Sequence, residues 1–167
     1  MKVIETERLR LTEVQESDRA GFIRFFGTAE VMAIRKFGVL DEAAASAAFD
    51  EMLAHWQRHG FGMFAIHSKE AGAFMGECGL RFREDGETVE ISYGLFPEFW
   101  GGGLIPEAST AMLSYGFDEL KLATIYALGR EDNARSRRVM EKLGMTHIET
   151  FAGTGKTVVK YRIDSPS

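Results

Sequence analysis

The chain has 167 residues, with 45% apolar and 27% charged side chains and a formal net charge of -5 at pH 7. That size and composition are typical of one globular domain with a substantial core. The negative charge predicts no general attraction for nucleic acid or an anionic membrane, and no apolar run is long enough to predict a membrane span.

The first residues, "MKVIETERLRLTE", are charged and lack the apolar centre of a secretory signal. Cys78 is the only cysteine, which suits a reducing compartment, and its apolar neighbours predict a small buried side chain. The four histidines show no metal-ligand spacing. We therefore expect a single cytoplasmic domain over residues 1–167 that binds no metal.

The first half of the chain predicts one strand, two helices and three further strands. Residues 8–14, "RLRLTEV", alternate as a strand does, and residues 17–28 carry phenylalanines at helical spacing behind a capping serine. Asp41 caps a second, alanine-rich helix that ends at Gly60. The three strands are "FGMFAIHS", "GAFMGECGLRF" and "TVEISYGLF", with a hairpin turn at Asp85-Gly86 between the last two.

The second half predicts two helices, each preceded by a strand, and a final pair of strands. The helices are "PEASTAMLSYGFDEL" and "NARSRRVMEKLG", the latter capped by Asn133, and "LATIYALG" is the strand between them. The segments "MTHIETF" and "KTVVKYRI" form an antiparallel pair. The order β-α-α-β-β-β-α-β-α-β-β predicts an α/β domain, a mixed sheet with helices on its faces.

Three consecutive glycines separate a predicted strand from a predicted helix. Backbone N–H groups at a helix start attract anions, and glycine lets an anion approach the backbone closely. Pro106 is tolerated in the first helical turn, where its missing N–H would have no acceptor. The loop is therefore either a phosphate site that uses the amides of Gly101, Gly102, Gly103 and Leu104, or a plain flexible turn.

A second glycine cluster, "GTGKT", resembles the end of a nucleotide P-loop. The opening glycine of that motif would fall at Thr150, and the residues after Lys156 have a strand pattern instead of a helical one. We therefore interpret the cluster as a hairpin turn.

The stretch "GREDNARSRRVMEKLGM" follows a strand and opens a helix. Asn133 and Ser136 are three residues apart, so they share a helical face near its start. The stretch carries a local charge of about +2 within an acidic chain. Taken alone, it is either part of a ligand site or a solvated helix face.

Taken together, these blocks resemble the GNAT superfamily of acyl-CoA-dependent N-acetyltransferases, and within it the RimJ/RimL branch. "VEISYGLFPEFWGGGLIPEA" is similar to its E-I-G-Y-x-L-x-P-x-x-W-G-x-G-Y-A-x-E-A block, and "DNARSRRVMEKLGM" to N-x-x-S-x-x-V-x-E-K-x-G-[MF]. "ETERLRLTEVQESD" resembles the branch's opening segment. The resemblance implies a GNAT fold, a mostly antiparallel sheet with a splayed central parallel pair and helices on both faces.

The resemblance also implies acetyl-CoA as cosubstrate, bound in the cleft between two splayed strands ending at Phe96 and near Leu128. The pyrophosphate would lie on the glycine loop, backbone amides near Leu95 and Phe96 would bond the pantetheine and polarise the thioester, and Asn133 would hold the pantetheine arm. The expected cofactor-binding residues are Leu95, Phe96, Trp100, Gly101, Gly102, Gly103, Leu104, Ile105, Asn133 and Arg138.

The implied chemistry needs a base for the amine and a donor for the departing thiolate. Glu90 matches the family's glutamate and is the preferred base, with Glu77 on the neighbouring strand as the second candidate. Many GNAT enzymes carry a tyrosine in the last helix where this chain has Met140, so Ser136 is the expected donor. Tyr93 and Tyr115 are weaker alternatives.

Two further departures concern the loop, where the family usually has a small residue at Ile105 and often a basic one at Gly102. The prediction is an acetyl-CoA-dependent N-acetyltransferase that acts on a protein N-terminal α-amine or a small amine without a covalent intermediate. The alternative is a non-catalytic acyl-CoA-binding or regulatory domain of the same fold. Either a monomer or a homodimer is compatible with the sequence.

Overall fold

The computed structural model describes residues 1–35 and 37–166. Their strands are β1 (Val3–Glu5), β2 (Leu9–Glu13), β3 (Met63–Ser68), β4 (Phe74–Phe82), β5 (Val89–Leu95), β6 (Thr124–Arg130), β7 (Thr146–Gly153) and β8 (Lys156–Asp164). Their α-helices are α1 (Arg19–Phe26), α2 (Ala29–Met32), α3 (Glu42–His59), α4 (Leu104–Asp118) and α5 (Ala134–Lys142). Among these residues, no helix is long and apolar enough to cross a membrane.

The strands form one eight-stranded sheet in the order β1-β2-β3-β4-β5-β6-β8-β7. All neighbours are antiparallel except β5 and β6, which are parallel. The predicted mixed, mostly antiparallel sheet with one parallel pair is therefore confirmed. The predicted strands and main helices are present within a few residues of their predicted bounds. β1 and α2 were not predicted, because three and four residues are too few to show a periodic pattern.

Helices cover both faces of the sheet, because alternate residues of a central strand point to opposite sides. In β3, Phe64 and Ile66 join the core cluster that contains α4, while Met63 and Ala65 join the cluster that contains α1 and α3. Asp41 caps α3 by accepting a hydrogen bond from the Ala44 N–H at 2.8 Å, as predicted.

Both predicted turns are present. Gly86 has a φ of +70° in the turn between β4 and β5, where the Asp85 carboxylate accepts hydrogen bonds from the N–H groups of Glu87 and Thr88. The "GTGKT" cluster forms the hairpin between β7 and β8, with Gly155 at a φ of +67°. Because Lys156 opens a strand and not a helix, the P-loop alternative is excluded.

Candidate active site

A gap opens between β5 and β6 at the centre of the sheet. β5 pairs with β4 along its whole length, and β6 pairs with β8 along its whole length. By contrast, β5 and β6 share one register pair, Glu90 with Tyr126. Beyond that pair the two strands diverge towards their carboxyl ends, which leaves the backbone of β5 without a strand partner on one side.

Hydrogen-bond alternation decides which backbone groups of β5 face this gap. The Phe96 N–H donates to the Met75 carbonyl at 2.9 Å, so Phe96 bonds back towards β4. This corrects the expectation that the Phe96 amide bonds the pantetheine, because that donor is already used. By the same alternation, the N–H and carbonyl groups of Tyr93 and Leu95 point towards β6.

Two side chains occupy the carbonyl groups that face the gap. The Trp100 indole Nε1 donates to the Leu95 carbonyl at 2.9 Å, and the Arg35 Nη2 donates to the Tyr93 carbonyl at 3.2 Å. Trp100 is 36% exposed, and the Arg135 guanidinium lies 4.0 Å from its ring centroid. Trp100 and Arg135 therefore stack across the gap, from the end of β5 to the start of α5, and form part of its wall.

The glycine loop, residues 101–103, leads directly into α4. Gly101 and Gly103 have φ values of +84° and +78°, which side-chain-bearing residues rarely adopt. Within the described part of the chain, the N–H groups of Gly101, Gly102 and Gly103 have no backbone acceptor. A Cβ atom added at Gly102 would meet no heavy atom within 4 Å, so there is open space beside these donors. Unpaired donors and open space at a helix start fit an anion.

Arg8, which was not predicted as a site residue, adds a positive charge beside this loop. Its Nη1 donates to the Gly102 carbonyl at 2.9 Å, and its Nε donates to the Glu107 carboxylate at 2.7 Å. Burial alone would raise the pKa of Glu107, but hydrogen bonds from Thr6 and Arg8 outweigh it and lower that pKa. A charged Glu107 therefore holds Arg8 beside the loop, which partly replaces the basic residue missing at Gly102.

Ile105 and Met140 both pack into the core on the α4 side. Met140 is 1% exposed, and Ile105 packs against the same cluster. Ile105 is half-buried and makes this contact from the first turn of α4. Met140 offers no hydroxyl group to the gap.

The start of α5 brings Asn133 and Ser136 to the α4 side of the gap. Asn133 caps the helix through its Oδ1, which accepts from the Ser136 N–H at 3.2 Å. That leaves the Nδ2 group of Asn133 available as a donor, with no acceptor for it among the described residues. Arg138 is exposed on the same helix. A Cβ atom added at Gly129 would lie 3.6 Å from the Ser136 Oγ, which places this hydroxyl beside β6.

Tyr93 reaches across the gap from β5 to meet Ser136. Its hydroxyl lies 3.0 Å from the Ser136 Oγ and 3.3 Å from the Ser136 carbonyl oxygen. Burial raises the pKa of Tyr93 to about 12, although the Ser136 hydrogen bond opposes the rise. Tyr115 lies elsewhere, with its ring against Phe64 of β3 and beneath the Lys2 ammonium.

Glu77 is buried on the opposite face, with 3% of its side chain exposed. Its Oε1 accepts from Arg35 Nη1 at 2.5 Å, while the other end of the guanidinium bonds the Tyr93 carbonyl. A Cβ atom added at Gly94 would lie 2.4 Å from Arg35 Nη2, so a side chain at this position would displace the guanidinium. The Ala33 carbonyl also accepts a hydrogen bond from Arg130 Nη1 of β6 at 3.5 Å. Residues 33–35 therefore contact the strands on both sides of the gap and cross it.

Glu90, the preferred base, lies where the gap begins and is also ion-paired. Its Oε1 accepts from Arg81 Nε and its Oε2 from Arg83 Nη1, each at 3.0 Å, and 12% of the side chain is exposed. A carboxylate oxygen can accept more than one hydrogen bond, so each oxygen retains capacity for a water or an amine.

The glycine loop beside a splayed parallel pair defines the class of protein, and comparisons with known proteins agree. The family model described as "Acetyltransferase (GNAT) domain" matches residues 8–146. The "Uncharacterized protein YkkB" of Bacillus subtilis (strain 168) is 30% identical over 159 residues, which covers 93% of this chain and 92% of that protein. The chain therefore belongs to the GNAT acetyltransferase family.

Solved structures confirm the fold over the whole chain. A GNAT-family acetyltransferase from Bacillus anthracis superposes with a TM-score of 0.87 at 24% identity, over 99% of this chain and 100% of that one. RimL, a ribosomal L7/L12 alpha-N-protein acetyltransferase solved with coenzyme A, superposes with a TM-score of 0.83 at 16% identity, over 98% of each chain. Because both identities are below 25%, these superpositions support the fold and do not by themselves assign an activity to this chain.

Proposed function

We propose that this GNAT acetyltransferase transfers an acetyl group from acetyl-CoA to a primary amine by direct attack in a ternary complex. The observation that carries the proposal is the gap between β5 and β6, with unpaired glycine-loop amides at its mouth. Free donors, open space and a nearby guanidinium suit a pyrophosphate. The gap itself is bordered by hydroxyl groups on one face and by carboxylates on the other.

Several groups would hold the coenzyme. The N–H groups of the glycine loop and of Leu104 and Ile105 would bond the pyrophosphate, with Arg8 adding a positive charge beside them. The Leu95 N–H faces the gap and would bond the pantetheine, as would the Asn133 side-chain amide. Exposed Arg138 is available for an outer phosphate. Bound acetyl-CoA supplies the acetyl group as a thioester.

The acceptor would enter from the face that carries Glu90 and Glu77. We retain Glu90 as the first candidate base and Glu77 as the second, each acting directly or through a water. Because guanidinium groups already occupy both carboxylates, their help in removing a proton is limited. An α-amine, with a reference pKa of about 7.7–8.0, needs less help than a lysine amine near 10.4. This favours a protein N-terminal α-amine or a small amine of low pKa.

A covalent acetyl-enzyme on cysteine does not fit the site. Cys78 is fully buried, and burial raises the pKa of its thiol to about 12. A thiol in that state is neither exposed nor ionised, so it is a poor nucleophile. This supports direct attack by the amine on the bound thioester.

The motif blocks support a RimJ/RimL-like enzyme, whose acceptor would then be a peptide N-terminus, and the single cysteine suits the reducing cytoplasm. The second candidate is a non-catalytic acyl-CoA-binding domain of the same fold. Two observations favour it: Met140 brings no hydroxyl to the gap, and ion pairs occupy both candidate bases. Coenzyme binding without transfer to any acceptor would identify this alternative.

The test combines calorimetric titration with CoA and a continuous assay of thiol release from acetyl-CoA. The acceptors are peptides with a free N-terminus, the same peptides with a blocked N-terminus and one free lysine, and small amines. We expect CoA to bind and the free N-terminal peptides to react faster than the blocked ones. Absence of CoA binding would refute the proposal, and faster reaction of the blocked peptides would refute the preference for α-amines.

A further inference from the structure

We infer that Tyr93 is a positioning residue that aims the Ser136 hydroxyl group at the sulfur of the departing coenzyme. This inference rests on the proposed function. It deepens that function by identifying what sets the direction of a serine hydroxyl that could otherwise rotate freely.

The geometry limits what the Tyr93 hydroxyl can do. It has one proton, and its two neighbours are the Ser136 Oγ at 3.0 Å and the Ser136 carbonyl oxygen at 3.3 Å. Either hydroxyl group can be the donor in the 3.0 Å contact. In this inference Tyr93 is the donor, and its proton then uses one lone pair of the serine oxygen. The serine proton then points away from Tyr93. Without Tyr93, this proton would be free to bond a carbonyl group of the preceding helical turn, as serine hydroxyls in helices often do.

The protonation state of Tyr93 keeps a proton in place for this bond. Because burial raises the pKa of Tyr93 to about 12, the phenol keeps its proton throughout the neutral range. A thiol has a reference pKa near 8.5, so full transfer of the phenol proton to sulfur would be unfavourable. Tyr93 therefore orients Ser136 and does not itself act as the acid.

The group transfer balances without a proton from Tyr93. The amine nitrogen forms a bond to the acetyl carbon, the carbon–sulfur bond breaks, and its electron pair goes to sulfur. The proton of the amine leaves to the base or to water. The Ser136 O–H donates a hydrogen bond to the thiolate, which is the role that Met140 cannot fill.

Tyr115 provides a matched control. It is also a tyrosine whose pKa burial raises to about 12, but it lies against β3 and Lys2, away from Ser136. Replacing either tyrosine with phenylalanine keeps the ring and removes the hydroxyl. A loss caused by general destabilisation would therefore appear in Tyr115→Phe as well as in Tyr93→Phe.

The decisive measurement is the pKa of the thiol of bound CoA, read from the ultraviolet absorbance of its thiolate. In Ser136→Ala we expect that pKa to rise by about 1, the equivalent of one charge-assisted hydrogen bond. Tyr93→Phe should give most of the same rise, the double variant no more than Ser136→Ala, and Tyr115→Phe none. Turnover should fall about 10-fold in Tyr93→Phe with the affinity for CoA unchanged.

Different results would show whether the proposed function or the inference about Tyr93 is wrong. If the native protein binds no CoA, the proposed function fails. If it binds CoA and transfers acetyl groups, but Tyr93→Phe leaves the thiol pKa of bound CoA at the native value, the inference about Tyr93 is overturned. If Tyr93→Phe does not fold, Ser136→Ala alone still tests the inference. An unchanged thiol pKa in Ser136→Ala would show that Ser136 does not bond the sulfur, which leaves Tyr93 no donor to orient and overturns the inference.

Discussion

The buried ion pair between Glu77 and Arg35 gives the most quantitative prediction. It joins β4 to residues 33–35, which cross the acceptor side of the gap, at an Oε1–Nη1 distance of 2.5 Å. The perturbation is Glu77→Gln, which keeps the shape of the side chain and removes its charge. Arg35 would then lose its carboxylate partner and keep its hydrogen bond to the Tyr93 carbonyl and its position over the Phe25 ring.

The burial of the two partners sets the expected magnitude. Removing one partner of a fully buried ion pair costs about 3–5 kcal/mol of folding free energy. Glu77 is buried, but 22% of the Arg35 side chain is exposed, so water can solvate the orphaned guanidinium in part. We therefore expect Glu77→Gln to lower the free energy of unfolding by about 2 kcal/mol. For a domain of this size, that lowers Tm by about 4–8 °C.

The assay is urea denaturation of the native protein, Glu77→Gln, Arg35→Gln and the double variant. The two single losses should not add, because either change removes the same pair. Glu51→Gln is the control, since its pair with Arg58 is exposed on both sides and should contribute less than about 0.5 kcal/mol. A Glu77→Gln variant as stable as this control, or additive losses, would refute the structural role of the pair.

Four other predictions concern the loop, the cap, the base and the core. Arg8→Ala should weaken CoA binding about 10-fold through loss of a charge beside the loop; equal affinity in calorimetry would remove Arg8 from the site. Asn133→Ala should weaken CoA binding and also cost about 1 kcal/mol of stability through the lost cap; unchanged CoA affinity would contradict its assignment. Glu90→Gln should lower turnover more than CoA affinity, and normal turnover across pH would exclude Glu90 as the base. His55 accepts a hydrogen bond from the Phe82 N–H and contacts the Phe61 carbonyl, and burial lowers its pKa from the ordinary value of 6.5. As pH falls, His55 of the unfolded chain therefore binds a proton at a higher pH than His55 of the folded protein. Stability should therefore decrease as pH falls through about 6.5 and less so in His55→Gln; parallel pH curves for the two proteins would contradict this.

Local backbone chemistry explains which parts of the site the sequence predicts. A glycine at positive φ, such as Gly101 or Gly103, and a capping residue such as Asn133 are determined by neighbours within one turn. Their pattern is visible in the sequence. The mixed sheet with flanking helices follows from the order of elements, and the parallel pair was implied by the family resemblance. The blocks at the glycine loop and at α5 therefore predicted the two ends of the gap.

Contacts between distant residues explain what the sequence analysis missed. Arg8 meets the loop carbonyl of Gly102 across 94 positions, and Arg35 meets Glu77 across 42. Neither pair leaves a local signal in a single sequence. The direction of the Phe96 amide depends on the hydrogen-bonding register of β4 against β5. One residue of register decides whether an amide faces the neighbouring strand or the gap.

The central claim is that the coenzyme's pyrophosphate is bound by the backbone of the glycine loop. The most direct measurement is a crystal structure of the protein grown with CoA. The account predicts phosphate oxygens within about 2.7–3.2 Å of the N–H groups of Gly101, Gly102 and Gly103, with the thiol beside Ser136. A coenzyme bound elsewhere, or a loop left empty at saturating CoA, would contradict it.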